Sequence, residues 1–210
     1  MDYYRNIKKQ TFYSKNCGFY DLTTSGSINL YALFLERTWR LIKSEGKVGS
    51  IIQSSLLTNQ TLSNFFQELV ESKSLETLFD FHNRRLIFPI NAENHFSLIT
   101  YSNSHRSRSF ILTSFSNWYE NKLQKNLEKF LNYEAEKKID KFFQEQEMEE
   151  TKRRMDEGGS LIDYAPEDFH LLNPNTKTCA RFLRKSDISI IKKAYLNSSI
   201  LIKRDDEGNI

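Results

Sequence analysis

Only 3 prolines and 7 glycines occur in 210 residues, so long disordered or turn-only tracts are excluded. Cysteine is equally scarce. Cys17 and Cys179 stand far apart, form no metal-type spacing, and read as two reduced thiols rather than a disulfide. The four histidines, His82, His95, His105 and His170, show no ligand spacing, so no metal site is expected. No apolar run approaches the ~18 residues of a membrane span, and the start, MDYYRNIKKQ, lacks the apolar stretch of a secretion signal. The expectation is a cytoplasmic protein. Charge of one sign is also missing. The formal net charge of +3 permits a nucleic-acid partner without arguing for one.

What the chain does have is apolar and aromatic mass. Hydrophobic residues make up 39%, with 16 Phe and 10 Tyr. That suffices for one domain with a real core, or one domain plus an extension.

The stretch that organises the rest is Ser27 to Thr58, SINLYALFLERTWRLIKSEGKVGSIIQSSLLT. Leu30, Leu33, Phe34, Leu41 and Ile42 fall near helical spacing. Ser27 is the expected N-cap, the helix is expected to end near Ser44, and Gly46 is expected to supply the turn or left-handed conformation. Val48, Ile51 and Ile52 predict a short buried strand. A helix feeding a strand through so short a loop is half of a βαβ crossover. Generic α/β packing explains this pattern as well as any specific function does.

Residues 1–26 read as a loop or a weak helix. A second helix, LSNFFQELVES, is predicted with Thr61 as its cap and Leu62, Phe65, Phe66, Leu69 and Val70 on its apolar face. Ser74 to Phe81 predicts a strand with Leu75, Thr77, Phe79 and Phe81 on one side and Leu78 opposite. His95 to Tyr101 and Ser109 to Phe115 predict two more, joined by a polar turn. The order α-β-α-β-β-β predicts the second half of an open α/β sheet with an antiparallel edge.

Tyr119 to Glu157 is rich in Lys, Glu and Gln, with a sparse apolar stripe stopped by Gly158 and Gly159. It predicts one long helix or a helical pair, with a solvated charged face or, alternatively, a coiled-coil partner surface. Beyond it lie a turn-rich segment with Pro166 opening a helical turn, a turn at Asn173–Thr176, and a helix capped by Ser186. Ile188, Ile191 and Tyr195 share one face of that helix.

GSINLYALFLERTWRLIKSEGKVGSIIQSSLLT is very similar to a stretch of the large adenine-specific DNA methyltransferases of bacterial restriction-modification systems: the type IIG enzymes and the related enzymes of phage-exclusion systems. SLETLFDFHNRRLIFP, then HFSLITY, match the next blocks in order. EDFHLLNPNTKTCARFLRKSDISIIKKAY resembles the segment leading towards target recognition. The resemblance covers Gly26 to Tyr101 and Leu161 to Ile202. It implies a partial Rossmann-like methyltransferase sheet with an antiparallel edge, plus a mostly helical C-terminal extension. Residues 1–118 correspond to the C-terminal half of the catalytic domain, 119–159 to a charged helical insertion, and 160–210 to a connector.

The resemblance further implies transfer of a methyl group from S-adenosylmethionine to the exocyclic amine of adenine in double-stranded DNA. Phe88, with Pro89, corresponds to the family's base-contacting Phe-Pro element. Asn29 and Tyr31 open the helix that faces the cofactor side, and Ser54 and Ser55 follow the central strand at its carboxyl end. Arg84, Arg85, Arg106 and Arg108 are the candidate phosphate contacts. Three departures stand out. The Asn-Pro-Pro-aromatic motif and the glycine-rich cofactor loop are absent from these residues, and the loop after Pro89 carries Glu93 and His95 where relatives often carry a basic residue. Both absent motifs lie upstream of the matching block in the family. The expectation is therefore an internal piece of a longer enzyme, inactive alone and completed by an upstream methyltransferase polypeptide. The alternatives are a non-catalytic DNA- or subunit-binding module, or a gene remnant.

Overall fold

The computed structural model describes residues 2–103, 109–117, 120–150 and 159–197. Helix α1 (Asp2–Asn16) opens the chain, where the sequence gave a loop or weak helix, and nearly all of it is exposed. Helix α2 spans Leu30–Leu41, shorter than the expected Ser27–Ser44, and Asn29 rather than Ser27 takes the cap position. Its buried face is also not the expected one. Ala32, Leu33, Leu35 and Glu36 face inward, while Leu30, Phe34 and Leu41 are 72%, 68% and 63% exposed. Buried Glu36 explains part of this. It receives Arg40 Nη2 at 2.7 Å and Thr23 Oγ1 at 2.6 Å, which ties the preceding loop to the helix.

Strand β1 (Lys47–Gln53) follows. In the turn before it Glu45, not Gly46, takes the left-handed conformation, with φ 68°. Gly46 serves by lacking a side chain, since a Cβ there would stand 2.7 Å from Ile42 Cγ1. The strand is not buried as expected: only Ile52 of its seven residues is, because β1 pairs on one side alone among the described residues.

A short helix, α3 (Ser55–Thr58), and a 3-10 turn (Gln60–Leu62) lead into α4 (Ser63–Glu71). The capping side chain is Asn59, which accepts the Thr61 amide at 3.0 Å, so Thr61 is capped rather than capping. Strands β2 (Leu75–His82), β3 (His95–Ser102) and β4 (Ile111–Asn117) then form. The expected parity of β2 fails at its start. An irregularity between Leu75 and Thr77 shifts the register, so Leu75 joins Leu78 in one core and Phe79 and Phe81 enter the other.

Helices α5 (Glu120–Ala135) and α6 (Ile139–Glu150) are the helical pair foreseen in the charged segment. Strand β5 (Ile162–Tyr164), unforeseen in a segment read as turns, completes the sheet. Helix α7 (Pro166–Leu172) starts on its proline. Helix α8 (Lys185–Asn197) begins one residue before Ser186, which is therefore not its cap, and Tyr195 is 39% exposed while Ile188 is buried.

The sheet order is β1-β3-β2-β4-β5. β3 runs antiparallel to both β1 and β2, β4 is parallel to β2, and β5 is antiparallel to β4. One face carries a core of Leu35, Leu56, Phe65, Phe66, Ile99 and Tyr164 beneath α2, α4, α7 and α8. The other packs Phe79, Phe81, Phe96 and Leu112 against Leu123, Phe130, Phe142 and Phe143 of α5 and α6. The apolar stripe of the charged segment is thus spent on the sheet, not on an open coiled-coil surface. Gly159 runs so close to β4 that a Cβ there would strike the Phe115 carbonyl.

Candidate nucleobase cleft

The chain crosses from β2 to β3 through residues 83–94, and this loop is built around one buried asparagine. Asn83 Oδ1 accepts the Phe88 amide at 3.0 Å, while Nδ2 donates to the carbonyls of Phe88 at 3.0 Å and Ile90 at 3.2 Å. Leu86 turns in the left-handed conformation, φ 52°, to bring the chain back. Phe88 is thereby fixed, half-buried, with its ring edge-on to Phe96 at 4.9 Å between centroids. Pro89 is exposed beside it. Arg84 and Arg85 are exposed on the 3-10 turn Asn83–Arg85 at the start of the same loop.

Phe88 forms one wall of an open cleft of about 440 Å³ with Tyr31, Ile51, Ile52, Gln53, Ile90, Asn94, His95 and Phe96. The cleft lies at the carboxyl ends of β1 and β2, the end of an open α/β sheet where ligands collect. Two residues chosen from the sequence for separate reasons, Tyr31 and Phe88, meet here. Tyr31 Oη and Ser55 Oγ stand 2.6 Å apart, and burial raises the Tyr31 hydroxyl pKa against the lowering effect of that hydrogen bond. Asn29 sits two residues before Tyr31 at the cap of α2 and is not among the lining residues. Arg106 and Arg108 lie outside the described residues.

Ser54 turns away from the cleft into a buried polar cluster. Its hydroxyl donates to Asp80 Oδ1 at 2.5 Å and lies 2.7 Å from Ser97 Oγ. Asp80 Oδ2 meets His95 Nδ1 at 3.1 Å, the Ser116 amide at 3.3 Å and Arg181 Nη1 at 3.5 Å. Burial pushes the Asp80 carboxyl up. The hydrogen bonds from His95 and Ser54, with the charges of His95 and Arg181, outweigh that and hold it below the ordinary carboxylate range. Sequence reasoning missed Asp80 and Arg181. The signal for Asp80 was an aspartate between Phe79 and Phe81 in an otherwise apolar strand, which burial tolerates only with partners.

Among the described residues, no group of three or more His, Cys, Asp or Glu is placed to hold a metal ion. No helix among them is long and apolar enough to cross a membrane. Residues 3–88 match the family model described as Eco57I restriction-modification methylase. No curated protein matches the chain. Among solved structures, the chain resembles the type IIG restriction endonuclease BpuSI, with a TM-score of 0.50 and 16% identity over 92% of this chain. The likeness is one of fold, and the chain spans 20% of that protein's length.

Proposed function

We propose that this chain, type IIG restriction-modification methyltransferase-like in its family match and its fold, forms the base-contacting part of a DNA adenine methyltransferase. The observation that carries the reading is the cleft that joins Phe88 and Tyr31 at the carboxyl ends of β1 and β2. The exocyclic amine of adenine is held in pairing within the duplex, so the base must leave the stack before anything can react with it. A flipped base then needs an aromatic face, and Phe88 is held by Asn83 to offer one. Such stacking contributes about 1–3 kcal/mol per base. Arg84 and Arg85, on the same loop, contact the phosphates of the double-stranded DNA, as Arg106 and Arg108 do in this reading.

S-adenosylmethionine supplies the electrophilic methyl group when bound. These residues do not fit its methionine end, because no Gly-x-Gly follows a strand within them. Nor do they contain the Asn-Pro-Pro-aromatic tetrapeptide. The 210 residues are therefore inactive alone, and the cofactor's site is completed by further polypeptide. Its docking place is the open edge of β1, beside exposed Leu30, Phe34 and Ile51. In this reading Asn29, Ser54 and Ser55 support the cofactor side, residues 1–118 are the catalytic part, 119–159 an insertion and 160–210 a connector. The protein acts in the cytoplasm, where the DNA is.

Calorimetric titration with S-adenosylmethionine tests this, first with the chain alone and then with the polypeptide encoded upstream of it. Binding by the mixture but not by the chain alone is expected. Tight binding by the chain alone contradicts the division of the site. Salt-dependent DNA binding with no cofactor binding in either case favours a non-catalytic DNA-binding module instead.

A further inference from the structure

Most of the cleft lining is apolar or aromatic, and its polar members are Tyr31, Gln53, Asn94 and His95. His95 is backed by a buried carboxylate, because Asp80, on the next strand, has no exposed surface. A carboxylate can only accept, so the 3.1 Å contact places a proton on His95 Nδ1. The carboxylate is kept ionised for that role: its pKa is lowered by its donors in spite of burial. The His82 ring packs on the His95 ring, with centroids 3.9 Å apart and planes 53° apart. Asp80 also meets Ser54, the Ser116 amide and Arg181, so it keeps partners without the histidine. The consequence of the pair therefore falls on the ring. Its orientation and its tautomer are fixed in the wall of the cleft, with Nε2 on the side of the ring away from Asp80.

We propose that His95 reads the amine-bearing edge of the extrahelical adenine, its Nε2 lone pair accepting a hydrogen bond from that edge, with Asp80 as the positioning residue that acts through the ring. This rests on the cleft being the base-contacting site. A ring whose proton is held on Nδ1 is an acceptor at Nε2, so it favours a base that presents an N–H there. A purine stacked on Phe88 also lies beside Phe96 and His95, which are neighbours in β3. A site built to pair with an N–H discriminates against an analogue that lacks it, because the buried acceptor is then left unpaired.

Nitrogen-15 spectra of the histidine rings test this on the whole chain, with His95 assigned through His95→Gln. In the free protein, Nδ1 is expected to carry the proton and Nε2 to show the signature of a bare ring nitrogen. Titration with 2′-deoxyadenosine should move the Nε2 signal. Purine 2′-deoxyriboside, which lacks the amine, should move it much less. Asp80→Asn should scramble the tautomer and weaken the nucleoside response, while Phe88 still responds. A protonated Nε2 overturns the inference, and so does an equal response to the two nucleosides. If Phe88 and Tyr31 shift while His95 stays still, His95 is only structural and the cleft reading survives. If none of the three responds, the cleft reading itself fails.

Discussion

Asn83 holds Phe88 in both directions, accepting its amide and donating to its carbonyl, each at 3.0 Å. The aromatic wall of the cleft is therefore set by a side chain five residues away that does not line it. Asn83→Asp should be harmful out of proportion to its size, because it turns a donor towards backbone carbonyls into a second acceptor. A loss of about 1–3 kcal/mol is expected in urea unfolding, with a matching loss of nucleoside binding. If Asn83→Asp unfolds like the native chain, the loop is not held as described.

Glu36 performs the same kind of service for the segment before α2. It is fully buried and takes Arg40, Thr23 and the Leu22 amide. Glu36→Ala strands the guanidinium and the hydroxyl, and should cost about 3 kcal/mol, at the low end for a buried pair because Arg40 is part-exposed. Equilibrium urea unfolding reads the loss directly. The Arg40→Met and Glu36→Leu double variant should recover part of it.

The two cysteines should react very differently. Cys179 is buried, and burial pushes its thiol well above the usual range, while Cys17 is half-buried near the end of α1. An aromatic disulfide reagent should modify Cys17 first, and Cys179 only as fast as the core opens. Equal rates at the two sites would mean that the core beneath α7 and α8 is not closed.

Acid should find Asp80. Its carboxyl binds a proton less readily folded than unfolded, so its contribution is fully present above the ordinary carboxylate range. That contribution is lost as the pH falls through and below the range, towards the lowered folded value. Melting temperatures recorded from neutral pH downwards should fall there, and less steeply in Asp80→Asn. A variant curve parallel to the native one would remove Asp80 from the acid response.

Much of the sheet is legible in the sequence because its strands carry strong apolar runs: β2, β3 and β4 fall within about two residues of where the pattern places them. β5 was not legible, since three residues, Ile162 to Tyr164, hold no period. The left-handed turn went to Glu45 rather than Gly46 because close packing on Ile42, not φ, requires the glycine. The exposed face of α2 misled for a physical reason. Leu30, Phe34 and Leu41 look like core in sequence but have no cover among the described residues. At the cleft, Phe88 and Tyr31 were legible as residue types in a recognisable order, and the structure adds their meeting. Asp80, Asn83 and Arg181 act through other groups across the fold, and such roles leave little trace in local sequence.

The most direct test of the central claim is methyl transfer to DNA by the chain assembled with the polypeptide encoded upstream of it. Duplex DNA is incubated with S-adenosylmethionine labelled in the methyl group, then digested to nucleosides and analysed by mass spectrometry. The account predicts label on the exocyclic amine of adenine, lost by about tenfold or more in Phe88→Ala, in line with about 1–3 kcal/mol of stacking. An assembly that binds the cofactor yet labels no adenine, or labels it as well with Phe88→Ala as without, would contradict the account.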